Sequence, residues 1–369
     1  MTVMRRAAVL EAQGSHIVHM EVGEPDFATA APIVDAAIAA LRSGKTHYTQ
    51  APGIDQLRDC LVEHYACTYG VKLNRERILI TPGGSAGLSL LAHLLVRPGD
   101  GILLTDPGYP CVRNFIHLVH GHPQLVPLDI AQNFQPSLEQ LDEYRSRETA
   151  GIWLASPSNP TGVVIGREQL KSIVEWKREN NLHLLMDEIY HGLHYTDDLP
   201  SVLELDQDSF VVNSFSKYFG MTGWRLGWIV VPEEFVHAAT ILAQNLYISA
   251  PIMAQFGALA AFTPQAREIF EQRRHAFRQR RDFMTKELSS LGFLLPEQTH
   301  GAFYLYGDIS SFAADSEDFC KHALENHGVA LTPGTDFGEH RANHFVRIAF
   351  TTSMENLERG VERLRQAVT

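Results

Sequence analysis

The chain has 369 residues, 45% hydrophobic and 20% charged, an ordinary globular composition that is too long for one simple core, so a large domain with a smaller one is expected. Its net charge of −12 argues against a polyanion-binding surface, and so against nucleic acid as a partner. Its four cysteines show no CxxC or zinc spacing and its 18 histidines no HExxH pair, so no metal site is expected, and without a secretory signal reduced thiols in the cytoplasm are the simplest reading.

Residues 32–42 predict the first clear helix. Pro32 suits its first turn, Ile33, Val34, Ala37, Ile38 and Leu41 share a stripe, and Gly44 follows its end. Residues 54–69 repeat the pattern with Ile54, Leu57, Leu61 and Tyr65. Short apolar runs follow: Ile78-Leu79-Ile80, Ile102-Leu103-Leu104, Ile152-Trp153-Leu154, residues 182–186 and Phe210-Val211-Val212. Between them lie amphipathic pieces such as 168–179, and the apolar stretch 88–96, which holds His93 and is too short to span a bilayer. Unbroken apolar strands separated by helices imply an α/β fold, with a mostly parallel central sheet covered by helices. From about residue 266 a long charged helix, 266–288, leads into an irregular, strand-rich region. The expected division is a large domain over 40–275 and a smaller α+β domain formed by both chain ends, 1–39 and 276–369.

Each of the five strands ends in polar or glycine-rich residues: Gly83-Gly84-Ser85, Asp106-Pro107-Gly108-Tyr109, Ser158-Asn159-Pro160, Asp187-Glu188-Ile189-Tyr190 and Ser214-Phe215-Ser216-Lys217. Ligands of open α/β sheets bind outside the carboxyl ends of the strands, so one shared site is expected there. Amides around Gly84 and Ser85 at a helix start suit a phosphate; otherwise the glycines only make the turn. Asp187 ends a buried strand, where a carboxylate needs a partner: a pyridinium nitrogen, or an N-cap or ion pair. Tyr190 can donate to a phenolate oxygen, and the Asn159 amide can bond a cofactor oxygen and a substrate carboxylate. Tyr109 can stack on an aromatic ring or simply pack. Arg347, within Phe345-Val346-Arg347-Ile348-Ala349-Phe350, calls for an anion, a bound carboxylate or a structural ion pair.

Lys217 decides among these readings. It sits between strand-like residues and Arg225 eight positions on, flanked by Ser214 and Ser216. A lysine beside two hydroxyls and an arginine suits a cofactor with an aldehyde and a phosphate, since the amine forms a Schiff base and the others hold the anion. By itself such a lysine is more often a solvated surface charge.

The segment Ser214-Phe215-Ser216-Lys217-Tyr218-Phe219-Gly220-Met221-Thr222-Gly223-Trp224-Arg225, following Asn159-Pro160 and Asp187 with Tyr190, resembles the pyridoxal-phosphate lysine signature of class I/II aminotransferases of PLP fold type I. The resemblance runs from Gly23-Glu24-Pro25-Asp26-Phe27 to Arg347. It implies pyridoxal 5'-phosphate as cofactor and amino transfer from an L-amino acid to a 2-oxo acid by a ping-pong mechanism through a Lys217 Schiff base. Lys217, Asp187 and Tyr190 would be catalytic. Gly84, Ser85, Ala86, Ser214, Ser216 and Arg225 would hold the phosphate, with Tyr109 stacked on the ring and Tyr190 and Asn159 at its oxygen. Gly23, Asn159 and Arg347 would bind substrate. Tyr48 would reach the phosphate of a neighbouring subunit, implying a homodimer. Val112 replaces the second tyrosine of many members, and residues 242–251 offer no arginine for a second carboxylate, so strict aspartate specificity is not expected. A fold type I lyase, such as a carbon–sulfur β-lyase, would share the same site. A cofactor-sensing transcription regulator would also need a basic DNA-binding domain.

Overall fold

Apolar strands with no polar face need cover on both sides, and a computed structural model, describing residues 2–368, provides it. Seven strands lie in the order Ile78–Thr81, Gly227–Val230, Phe210–Ser214, His183–Asp187, Thr149–Ala155, Gly101–Asp106, His122–Pro127. The last five pair in parallel. Gly227–Val230 runs antiparallel to both neighbours.

Alternation along each strand splits the core in two. Ile78, Leu103, Ile152, Leu184, Met186 and Val211 face one way. They pack under the helices Asp55–Tyr69, Arg167–Glu179 and Ile252–Leu259. Leu79, Ile102, Leu104, Trp153, Leu185 and Val212 face the other way, beneath Gly84–Leu95, Pro110–Leu118 and Val236–Tyr247. Each such side chain, fully buried, contributes roughly 1.5–3 kcal/mol.

The expected helices are present with slightly different ends: Ala31–Arg42, Asp55–Tyr69, Arg167–Glu179 and Pro264–Ser290. The helix read over 88–96 starts earlier, at Gly84, so Gly84, Ser85 and Ala86 form its first turn. Two strands carried no clear signal. His122–Pro127 is an edge strand with two prolines and one fully buried residue, Val126. Gly227–Val230 follows Phe210–Ser214 as its antiparallel neighbour without a crossover helix, so the Lys217 segment is the loop that joins them.

Both chain ends build a second layer. Val18–His19 pairs with Val329–Ala330, and Tyr304–Asp308 and Thr332–Pro333 flank Phe345–Ala349. Pro264–Ser290 runs through both cores, with Ala266 and Phe270 in the first and Phe277, Met284 and Leu288 in the second. No helix among the described residues is long and apolar enough to cross a membrane.

Candidate active site

The carboxyl ends of the parallel strands open into a cavity of about 550 Å³. Its walls include Gly84 and Ser85 from the first helical turn, and Tyr109, Asn159, Asp187, Tyr190, Ser214, Ser216, Lys217 and Arg225 from the strand ends. The second layer adds Gly23, Glu24, Tyr304 and Arg347. Twelve of the fourteen residues singled out in the sequence therefore line one space. Ala86 and Tyr48 do not line it, and Tyr48 is 81% exposed.

One end is an anion cradle. Gly83 has φ +82 and ψ 169, a backbone region essentially restricted to glycine. A Cβ there would lie 2.5 Å from the Arg225 guanidinium, so the cation packs directly on the turn that starts the helix. Arg225 itself has φ +52, an uncommon conformation for a residue with a side chain, and Nη1 donates to the Thr222 carbonyl at 2.8 Å. Ser214 Oγ accepts from the Ser216 amide at 3.0 Å. Helix amides, two hydroxyls and a guanidinium thus converge on the same end of the cavity.

The middle is held by Asp187 and Lys217. Asp187 is 7% exposed, and its Oδ1 accepts from the Ile189 amide at 3.0 Å. It makes no ion pair among the described residues. Burial pushes its carboxyl up to about 7, although the Ile189 bond and the nearby Lys217 pull the other way. The local bond to Ile189 replaces the helix N-cap or ion pair that sequence left open. Lys217 Nζ donates to the Gly23 carbonyl at 2.7 Å. Burial pushes this amine below the usual lysine range, toward its nucleophilic neutral form. Burial also pushes the Tyr190 hydroxyl well above its ordinary value, so it stays a proton donor.

Arg347 closes the other end. Its strand position makes it buried, and its partners are neutral: Asn159 Oδ1 at 3.0 Å, the Glu21 carbonyl at 2.6 Å and Thr332 Oγ1 at 3.4 Å. Nε has no partner and no carboxylate pairs with it among the described residues, so the structural ion pair is not what this arginine makes. A buried guanidinium with neutral acceptors only is complete when an anion arrives.

Sequence reading missed Tyr304, Glu24 and Thr222. Tyr304 lies in Ala302-Phe303-Tyr304-Leu305-Tyr306, where nothing distinguishes it from a core aromatic. Thr222 Oγ1 donates to Glu24 at the mouth, a contact between residues 198 positions apart.

Comparison with known proteins gives matches over nearly the whole chain. The profile of aminotransferase class I and II matches residues 15–364. The chain is 36% identical to the (5-formylfuran-3-yl)methyl phosphate transaminase of Methanocaldococcus jannaschii, across 99% of this chain and 95% of that protein. It is 35% identical to the valine–pyruvate aminotransferase of Mycobacterium tuberculosis, across 97% of this chain and 93% of that one. Among solved structures, the aspartate aminotransferase of Thermus thermophilus with maleate matches with a TM-score of 0.94 at 32% identity, covering 99% of this chain and 95% of the other.

Proposed function

Because this chain belongs to the class I and II aminotransferases, we propose that Lys217 is the residue on which its amino transfer turns. The protein is a pyridoxal-phosphate-dependent transaminase of PLP fold type I, and its substrates are an amino acid and a 2-oxo acid. When bound, pyridoxal phosphate supplies an aldehyde that condenses with amines and a protonated ring that withdraws electrons from the substrate Cα.

The residues present fit that cofactor. Asp187 is a buried carboxylate that makes no ion pair among the described residues, and a pyridinium N–H would supply one. Gly84, Ser85 and Ala86 at the helix start, Ser214, Ser216 and Arg225 suit its phosphate. Tyr109 offers a ring face, and Tyr190 and Asn159 offer donors to its ring oxygen.

Each residue then has a defined task. Arg347 and Asn159, already bonded to each other, receive the substrate α-carboxylate, with Gly23 beside it. This orients the substrate Cα hydrogen for transfer. Lys217 Nζ would give up the Gly23 carbonyl, yield its place to the substrate amine, take the proton from the substrate Cα and deliver it to the carbon that carried the cofactor's aldehyde. Asp187 holds the ring proton throughout. One water would supply the carbonyl oxygen of the departing oxo acid while the amino group stays with the cofactor, and a second oxo acid would reverse the sequence at the same residues, taking up that amino group and releasing the water. The observation that carries this reading is the shared cavity: among the described residues, a buried carboxylate with no ion pair, a buried arginine with no carboxylate partner, and an amine depressed by burial. We also propose a cytoplasmic homodimer with Tyr48 turned to the partner, and the division at 40–275 with 1–39 and 276–369.

Purified protein should be yellow, and borohydride should fix the cofactor to the Lys217 peptide. Lys217→Ala should lose more than the ~10²–10⁴-fold typical of a general base, because the covalent attachment goes as well. A label on another lysine would sink the assignment. A donor screen that follows the cofactor absorbance would then rank neutral against dicarboxylic amino acids.

A further inference from the structure

Tyr304 opens the strand Tyr304–Asp308 and is 1% exposed, yet it borders the cavity. Three elements meet on it. Its hydroxyl lies 3.0 Å from the Tyr190 hydroxyl. The Arg347 guanidinium carbon sits 4.3 Å from its ring centroid. A side chain at Gly23 would collide with its hydroxyl, and the Gly23 carbonyl is the acceptor for Lys217.

We infer that Tyr304 is a positioning residue whose hydroxyl donates to Tyr190 Oη, turning the Tyr190 O–H toward the cofactor ring oxygen, while its ring supports Arg347. The inference rests on the roles proposed above for Tyr190 and Arg347. Two phenols 3.0 Å apart share one proton between them. The Arg347 guanidinium, 4.3 Å from the Tyr304 ring centroid, draws more electron density from that ring than Lys217 Nζ, 5.7 Å from the Tyr190 centroid, draws from Tyr190, which makes Tyr304 the better donor. Tyr190 then keeps its own proton for a ligand. A phenol that receives a hydrogen bond also donates more strongly, by roughly 10–30% per bond in a chain.

The consequence can be read without turnover. The cofactor ring oxygen is most negative when the link to Lys217 has lost its proton. A strong donor at that oxygen therefore favours the deprotonated link and lowers the pH midpoint of the cofactor absorbance. Tyr304→Phe keeps the ring and removes the hydroxyl. In the resting holoenzyme it should raise that midpoint by about half a unit. The KM for the amino donor should change by less than about twofold, since the ring under Arg347 remains, while kcat falls. Tyr190→Phe, measured alongside, should raise the midpoint further. If Tyr190→Phe moves the midpoint and Tyr304→Phe lowers only the melting temperature, Tyr304 is a packing residue and the inference is overturned. If neither variant moves it, the role of Tyr190 falls and takes the inference with it, while the Lys217 labelling result stands independently.

Discussion

Asp187 shows how one buried group links stability to function. An unfolded aspartate titrates near 3.9, whereas burial places the folded carboxyl at about 7. The folded state binds the proton more tightly, so this group imposes no penalty below about pH 4. The penalty grows as pH rises toward 7, to on the order of 4 kcal/mol in the cofactor-free protein. A pyridinium partner relieves it. Asp187→Asn should therefore raise the melting temperature of cofactor-free protein more at pH 8 than at pH 5. In the loaded enzyme the same change should cut turnover by ~10²-fold or more, because a neutral pyridine is a poor electron sink. Parallel stability curves for variant and parent would remove the titration account, and near-parental turnover would make Asp187 a structural residue only. The type and place of this residue were legible in the sequence as a carboxylate closing an apolar run. Its bond to Ile189 instead of a cation was not, because short polar loops choose among local partners only once folded.

At the scale of elements, the turn from Ile78–Thr81 into Gly84–Leu95 makes the anion cradle. Gly83 is required there twice, by its positive φ and by the Arg225 guanidinium where a Cβ would stand. Gly83→Ala strains the backbone by roughly 1–3 kcal/mol and displaces Arg225. It should weaken binding of pyridoxal phosphate at least tenfold, but leave the weaker binding of pyridoxal, which has no phosphate, nearly unchanged. Spectroscopic titration with both compounds tests this, and equal losses for the two would place the damage elsewhere than the cradle. The glycine pair could be read from sequence as a turn before a helix. The partnership with Arg225 could not, since it joins positions 142 residues apart.

For the whole molecule, Tyr48 is the residue the single chain leaves without a task. It is 81% exposed, and the apolar Ile241, Leu246 and Ile248 are each close to half exposed. Covering such side chains favours association, and a two-fold dimer would carry Tyr48 to its partner. Mixing Lys217→Ala protein with Tyr48→Phe protein should restore activity on subunit exchange. In the mixed dimer one site then carries both defects and the other carries neither. A fully active monomer in sedimentation at assay concentration would rule out the cross-subunit role.

By itself the sequence determined the alternation of strand and helix, the two-faced sheet and most of the cavity wall, because these follow from local periodicity and from polar residues at strand ends. Lys217, Asp187 and Arg225 were legible since each breaks an apolar or glycine-rich pattern that gives it meaning. Tertiary structure alone decided the antiparallel Gly227–Val230, which leaves the Lys217 segment as a loop rather than a crossover helix. It alone decided that Arg347 meets Asn159 across 188 residues rather than a structural carboxylate. It also brought Tyr304 to Tyr190. An aromatic in a strand reads the same whether it faces core or ligand, and only the register of Tyr304–Asp308 against Phe345–Ala349 places it under Arg347.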